Sequence, residues 1–97
     1  MASEEFGNPA ARELGYCPCC GYRTLSEGQP GSYEVCAVCH WIDDPIQFSD
    51  TEYVSDTNHV SLQAARENFE EFGAASEGVR DDAREPSDEP RDPNWPY

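Results

Sequence analysis

Apolar side chains recur at helical spacing in one segment of the chain. They occupy Leu62, Ala65, Phe69 and Phe72, separated by three, four and three positions, which is one face of a helix. Ser61 suits the N-cap, because its hydroxyl can accept a hydrogen bond from an amide in the first turn. Gly73 suits the left-handed position that ends many helices. The pattern predicts an amphipathic helix over about residues 61–72.

Shorter apolar runs before this helix predict strands. Residues 23–25 and 33–35 are strand-like, and the segment between them is dense in turn-forming residues. Residues 41–42 predict a third strand, which ends at residues 43–45. Residues 49–58 predict a polar loop anchored by Tyr53 and Val54. We therefore expect a small α+β domain in which one helix packs on an antiparallel hairpin or a three-stranded sheet.

Composition changes this picture, because the residues that build ordinary cores are scarce. Leu, Ile, Val and Phe number 3, 2, 5 and 4, which is 14 of the 97 residues. Asp and Glu number 20 against six Arg and no Lys, a net charge of −14. This composition is typical of disordered chains. It excludes a large hydrophobic core and disfavours binding to nucleic acid or to an anionic membrane.

The scarcity belongs mainly to the two ends, and this sets the predicted domain limits. Residues 1–15 are predicted to be a flexible arm, residues 16–73 the folded domain, and residues 74–97 an acidic, proline-rich, solvated tail. Trp95 and Tyr97 end that tail, and either docking or disorder of these aromatic residues fits the sequence. No export signal or membrane-spanning run is visible, so a cytoplasmic protein is expected.

The five cysteines offer a second source of stability. Two Cys-x2-Cys pairs stand 15 residues apart, the spacing of a tetrathiolate zinc site. The expected ligands are Cys17, Cys20, Cys36 and Cys39. Gly21 suits the positive φ that such a turn often needs after its second sulfur. Redox thiols and structural disulfides are the alternatives, which the odd cysteine count and the small size of the chain disfavour.

Several nearby residues have open roles. Cys19 lies inside the first pair, at a position that usually points outward, and is either a spectator or a redox handle. His40 follows the second pair and is either an alternative ligand or a residue that tolerates positive φ. Arg23 is either a counter-charge for the thiolates or a partner of a surface carboxylate. Asp43 and Asp44 are expected to serve turns and caps rather than acid–base catalysis.

The motifs resemble a known family, the cysteine-rich CPCC domain of bacterial proteins. The matching residues are CPCCGYRTL at 17–25, YEVC at 33–36, the region from Trp41 to Asp44, and NHVSLQAARENFEEFG at 58–73. The second pair usually resembles CPVCGW in this family, whereas it is CAVCHW here. The resemblance implies a zinc-ribbon-like fold and no established activity, and it leaves open a role in toxin–immunity pairs.

These observations favour a non-enzymatic, monomeric zinc-binding module. Its acidic surface is expected to bind a basic protein partner, because opposite charges steer association. Hydrolysis at zinc is disfavoured, because four thiolates leave no position for water. Two alternatives remain: a rubredoxin-like iron electron carrier, since four thiolates also bind iron, and a sensor that releases zinc when Cys19 is oxidised.

Overall fold

The computed structural model describes residues 15–26 and 31–97. Two metal-binding-type turns come first, a first knuckle at residues 17–22 and a second knuckle at residues 36–41. Helix α1 (Pro45–Ser49) and helix α2 (Leu62–Phe72) follow, and then a short 3₁₀ helix (Glu77–Val79). Residues 1–14 of the predicted arm at 1–15, and residues 27–30 of the turn-forming segment, lie outside the described residues.

The two knuckles have the same backbone hydrogen bonds. In the first, Cys17 N–H donates to the Tyr22 carbonyl and Gly21 N–H to the Cys17 carbonyl. In the second, Cys36 N–H donates to the Trp41 carbonyl and His40 N–H to the Cys36 carbonyl. One antiparallel bridge flanks each knuckle, Tyr16 with Arg23 and Val35 with Ile42. The knuckles are therefore structural repeats of one another.

The predicted sheet is not confirmed. The part of the chain that the structure describes contains three isolated antiparallel bridges and no continuous strand. The Arg23 amide donates to the Pro90 carbonyl, and the Tyr33 amide donates to the Asp43 carbonyl. Both runs predicted to form the hairpin thus find backbone partners elsewhere in the chain. The supported description is a small domain built around the cysteines.

The predicted helix is confirmed as α2. The Ser61 side chain accepts a hydrogen bond from the Ala64 amide, and Gly73 ends the helix in the left-handed conformation with φ 82°. Leu62 and Ala65 are buried against the cluster that contains Trp41, and Phe69 packs at its edge. The helix thus covers the core with the face that its period predicts.

Helix α1 was not predicted from the sequence. Asp44 caps it by accepting hydrogen bonds from the Ile46 and Gln47 amides, and Pro45 occupies its first turn. An Asp-Pro pair is a known start signal, because proline at the first helical position loses no needed hydrogen bond. The anchor predicted at Tyr53 and Val54 is wrong, since these side chains are 45% and 60% exposed. None of the helices in residues 15–26 and 31–97 has the length and apolar character of a membrane span.

A pair of buried amide side chains replaces that anchor. The Asn58 side chain accepts from the Ile42 amide and donates to the Ile42 carbonyl, both at 2.9 Å. It also donates to the Gln47 side chain at 2.8 Å. Gln47 in turn donates to the Tyr53 and Val60 carbonyls, each at 2.7 Å. These two side chains join the loop, α1 and the second knuckle.

The segment after α2 packs on both knuckles. The Ala75 amide donates to the Cys39 carbonyl and the Arg84 amide to the Val38 carbonyl, each at 2.9 Å. Ala74 and Ala75 are buried. Residues 90–97, called here the C-terminal strap, then cross the first knuckle. Residues 74–97 therefore lie against the cysteine-bearing part of the chain instead of extending into solvent, while the domain limits stay a prediction.

Candidate metal centre

The fold brings four cysteines from the two knuckles together. The Sγ atoms of Cys17, Cys20, Cys36 and Cys39 lie within 4.8 Å of one another. All four residues are fully buried. Cys17 pairs with Cys39, and Cys20 with Cys36, each at an Sγ–Sγ distance of 3.7 Å. The first cysteine of one knuckle thus faces the second cysteine of the other, as the repeat of the knuckles requires.

The two 3.7 Å distances match the edge of a tetrahedral metal site. Zinc lies about 2.3 Å from each thiolate, so the edge of a ZnS₄ tetrahedron is about 3.8 Å. Sulfur atoms in a disulfide lie much closer, at about 2.05 Å, and all five cysteines are free here. The four cysteines are therefore placed to bind one metal ion.

Hydrogen-bond donors surround the sulfurs. The Cys19 amide donates to Cys17 Sγ, and the Val38 and Cys39 amides donate to Cys36 Sγ, each at 3.4 Å. The Thr24 hydroxyl donates to Cys36 Sγ at 3.0 Å. Donors of this kind stabilise thiolate charge and orient metal ligands. Sequence reasoning missed Thr24, because a hydroxyl seven residues past the first cysteine gives no motif.

The thiols affect one another's protonation. Burial is the main cause that raises the pKa of Cys17 and of Cys39. The hydrogen bond with Cys17 lowers the pKa of Cys20, but Cys36, Cys39 and burial outweigh it, so that pKa is also raised. The pKa of Cys36 is lowered, first by its hydrogen bonds with Cys17 and Cys20. A bound cation would displace the protons of the three thiols whose pKa is raised.

The residue after each pair adopts the expected backbone. Gly21 has φ 83° and His40 has φ 68°. His40 therefore occupies the position of the glycine in the first knuckle, which matches its predicted tolerance of positive φ. Among the described residues, the clustered groups suited to metal binding are the four cysteines, without His40.

Cys19 differs from its expected position. It is only 1% exposed, so it does not point into solvent. Its thiol lies outside the four-sulfur cluster, while its amide supports Cys17. Arg66 of α2 and Arg91 of the strap bind the carbonyls of the residues on either side of Cys19, Pro18 and Cys20, and knuckle spacing alone does not predict these contacts.

The arginines that bind beside the site come from distant parts of the chain. Arg23, which the sequence leaves open as a counter-charge or as a partner of a surface carboxylate, is exposed. Instead, Arg66 Nε donates to the Pro18 carbonyl at 2.9 Å, and Arg91 Nε donates to the Cys20 carbonyl at 3.0 Å. Two guanidinium groups thus bind the first knuckle and bring positive charge towards a site that would be net negative when four thiolates hold a divalent ion.

The same contacts decide an ion pair on α2. Arg66 and Glu70 are four residues apart, a spacing that favours an ion pair along a helix, but Glu70 binds Arg91 at 3.1 Å. Arg91 lies 71 residues beyond Cys20 along the chain. The only sequence signal for its position was the unusual pair of aromatic residues that ends the acidic segment.

Asp43 and Asp44 have the turn and capping roles that their positions suggested. Asp43 Oδ2 accepts hydrogen bonds from the Gly31 amide and from the amide and hydroxyl of Ser32. Asp44 caps α1. These bonds hold the segment before the second knuckle against the segment after it.

The comparison with known families agrees with this site. The profile of the family described as cysteine-rich CPCC matches residues 15–90. The chain belongs to the cysteine-rich CPCC family. The matched range contains both knuckles, α2 and the segment up to the first residue of the strap. A search of curated proteins finds no match to the chain.

Proposed function

We propose that this CPCC protein is a non-enzymatic module whose four cysteines hold one structural zinc ion in a zinc-ribbon-like arrangement. The observation that carries the proposal is the set of four fully buried sulfurs within 4.8 Å of one another. Four thiolates fill the tetrahedral coordination of zinc and leave no position for a reacting water. The bound metal would supply folding energy, of the order of 10–16 kcal/mol in small zinc domains.

The need for this energy follows from the core. Of the twelve buried hydrophobic residues in the described part of the chain, five are cysteines and three are alanines. A domain of about 60 residues already buries only about 60% of the surface of its unfolded chain. The aliphatic and aromatic part of the core is therefore small. A bound metal would cross-link the two knuckles that this core covers.

The metal can be identified directly. Native mass spectrometry of protein from its own host should report one zinc per chain, and the sample should be colourless. An iron-loaded, coloured protein would favour the rubredoxin-like alternative, which the same four thiolates allow. A chain that carries neither metal would contradict the proposal. The burial of Cys19 speaks against the remaining alternative, because an oxidant cannot reach that thiol directly.

We further propose that the module binds a basic protein partner through its acidic surface. Among residues 15–26 and 31–97, eleven acidic side chains are exposed, against three arginines. Two of these arginines pair with glutamates, Arg80 with Glu77 and Arg84 with Glu89. The exposed negative charge is thus largely uncompensated, which favours association with basic surfaces. The expected cytoplasmic location and monomeric state belong to the same proposal.

A matched pair of charge variants tests the partner. One variant carries Glu67→Gln, Glu71→Gln and Asp81→Asn, within and after α2, and the other carries Asp50→Asn, Glu52→Gln and Asp56→Asn, before α2. Affinity capture should recover a basic protein at low salt and should lose it at high salt. One of the two variants should recover less of this protein than the other. Recovery of no basic protein above background would contradict the partner proposal and leave the metal proposal intact.

A further inference from the structure

The C-terminal strap pairs with the backbone of the first knuckle. The Arg23 amide donates to the Pro90 carbonyl at 2.9 Å, and the Asp92 amide donates to the Gly21 carbonyl at 2.8 Å. Tyr22 and Arg91 form an antiparallel bridge between these two bonds. The strap therefore adds a short strand-like segment beside the turn that presents Cys17 and Cys20.

Trp95 then covers the end of the same knuckle. A Cβ atom placed on Gly21 would lie 2.5 Å from Trp95 Cδ2 and 2.8 Å from Cε3, closer than real contacts allow. The indole ring thus lies directly against the Gly21 backbone. Only glycine leaves room for it, in addition to the positive φ that the knuckle needs at this position.

Two arginines, one in the strap and one in α2, lie against aromatic rings of the strap and the first knuckle. The Arg91 guanidinium lies 4.9 Å from the Tyr22 ring centroid and 5.7 Å from that of Trp95. The Arg66 guanidinium lies 5.9 Å from Trp95 and 3.9 Å from Tyr97. Both arginines also donate to first-knuckle carbonyls. Each therefore fixes the strap and the knuckle at once.

Metal exchange needs an opening, because all four sulfurs are fully buried. The strap is a segment that can open without unfolding the rest of the domain. It is held by two backbone bonds and by the contacts of Arg91, Trp95 and Tyr97, and residues 85, 87 and 88 before it are exposed. The turn at these residues is closed by an ion pair between Arg84 and Glu89, and exposed ion pairs contribute little. Segments of this kind open locally without global unfolding.

We infer that the C-terminal strap is a latch that sets the rate at which metal leaves the four-cysteine site. The inference rests on the proposed function, that the site holds zinc. When the strap opens, the first knuckle loses the N–H donors on its Cys20 and Gly21 carbonyls and the ring on Gly21. Its two cysteines then become the accessible half of the site. If opening and closing are fast, the release rate follows the open fraction.

Zinc transfer to a coloured chelator measures this rate. Wild-type protein and the variants Arg91→Met and Trp95→Ala are loaded with one equivalent of zinc and mixed with excess chelator. Arg23→Met is the control for Arg91→Met, because it removes the same charge beside the same knuckle from an exposed side chain. Tyr53→Ala, an exposed aromatic residue away from the strap, is the control for Trp95→Ala. Release should be at least tenfold faster in both strap variants and within twofold of wild type in both controls.

The outcomes separate the latch from the metal proposal. If wild type holds one zinc and both strap variants release it within twofold of the wild-type rate, the latch is wrong and the metal site stands. If wild type holds no zinc, the proposed function fails and the latch with it.

A second measurement needs no variant. In zinc-loaded wild type, the Arg23 and Asp92 amides, which make the strap bonds, should exchange hydrogen together and faster than the Cys36 and His40 amides of the second knuckle. Equal protection of the two pairs would overturn the latch.

Discussion

Replacing Asn58 with alanine should strongly destabilise the protein. The Asn58 amide makes three hydrogen bonds, two with the Ile42 backbone and one with Gln47. The Asn58 side chain therefore makes the two backbone bonds to Ile42 that a neighbouring strand would make, in the segment after the second knuckle. Alanine removes all three bonds and leaves the Ile42 amide, the Ile42 carbonyl and Gln47 Oε1 without those partners.

The magnitude follows from these three bonds. A neutral hydrogen bond contributes about 1 kcal/mol net, and a buried group left without a partner costs about 1–3 kcal/mol. Asn58 is 9% exposed, so water can reach part of the vacated space. We therefore expect a loss of about 3–4 kcal/mol from a total stability of about 5–15 kcal/mol. Asn58→Asp should lose at least as much, because a carboxylate oxygen would face the Ile42 carbonyl and Gln47 Oε1.

Urea unfolding at fixed free zinc, followed by tryptophan fluorescence, measures this loss. Asn68→Ala is the matched control, because Asn68 is a partly buried asparagine with one side-chain bond, to the Ala75 carbonyl at 3.0 Å. That control should lose about 1 kcal/mol. The reasoning is refuted if Asn58→Ala loses less than about 1 kcal/mol, or no more than Asn68→Ala, at an unchanged dependence on urea.

Three further predictions concern the metal, its protons and α2. Removing the metal with a chelator should abolish the near-UV aromatic circular dichroism, and one equivalent of zinc should restore it; a signal that survives chelation would show that the aromatic packing does not need the metal. The raised pKa values of Cys17, Cys20 and Cys39 keep these thiols protonated at neutral pH, so zinc must displace at least three protons. Its apparent affinity should therefore fall about a thousandfold or more when the pH is lowered by one unit, as measured by chelator competition, and a pH-independent affinity would contradict this. Ser61→Ala removes the cap on the Ala64 amide and should lower the free energy of unfolding by about 1 kcal/mol, whereas Ser61→Asp should retain most of it in the same urea assay.

The parts that sequence reasoning predicted are those with local causes. The Cys-x2-Cys turns need only nearby hydrogen bonds and a residue that accepts positive φ, and Gly21 and His40 both provide it. Helix α2 follows from its apolar period together with Ser61 and Gly73, three signals within 13 residues. Each of these elements is specified by residues that lie close together in the chain.

The parts that sequence reasoning missed depend on distant residues. Residues 41–42 were expected to form a third strand; Ile42 bridges Val35 on one side, and on the other side the Asn58 side chain takes the place of a strand. A polar residue in a polar loop carries no sign that it will be buried. The strap contacts join Cys20 to Arg91 and Gly21 to Trp95, and composition alone favoured a solvated tail. The acidic residues and prolines of residues 74–97 account for the exposed side chains of this segment. They give no indication of the few side chains that pack on the first knuckle.

The absence of lysine finds an explanation in these contacts. Arg66, Arg80 and Arg91 each lie over an aromatic ring, and Arg66 and Arg91 also donate Nε–H to a knuckle carbonyl. A planar guanidinium can stack on a ring while its edge donates a hydrogen bond, whereas a lysine ammonium cannot combine the two geometries. Arg66 and Arg91 thus hold α2 and the strap to the first knuckle, while most of the described carboxylates remain outside. Among the described residues, the charge imbalance that is typical of disordered chains therefore combines two arginines that bind the backbone around the cysteines with an excess of carboxylates on the surface.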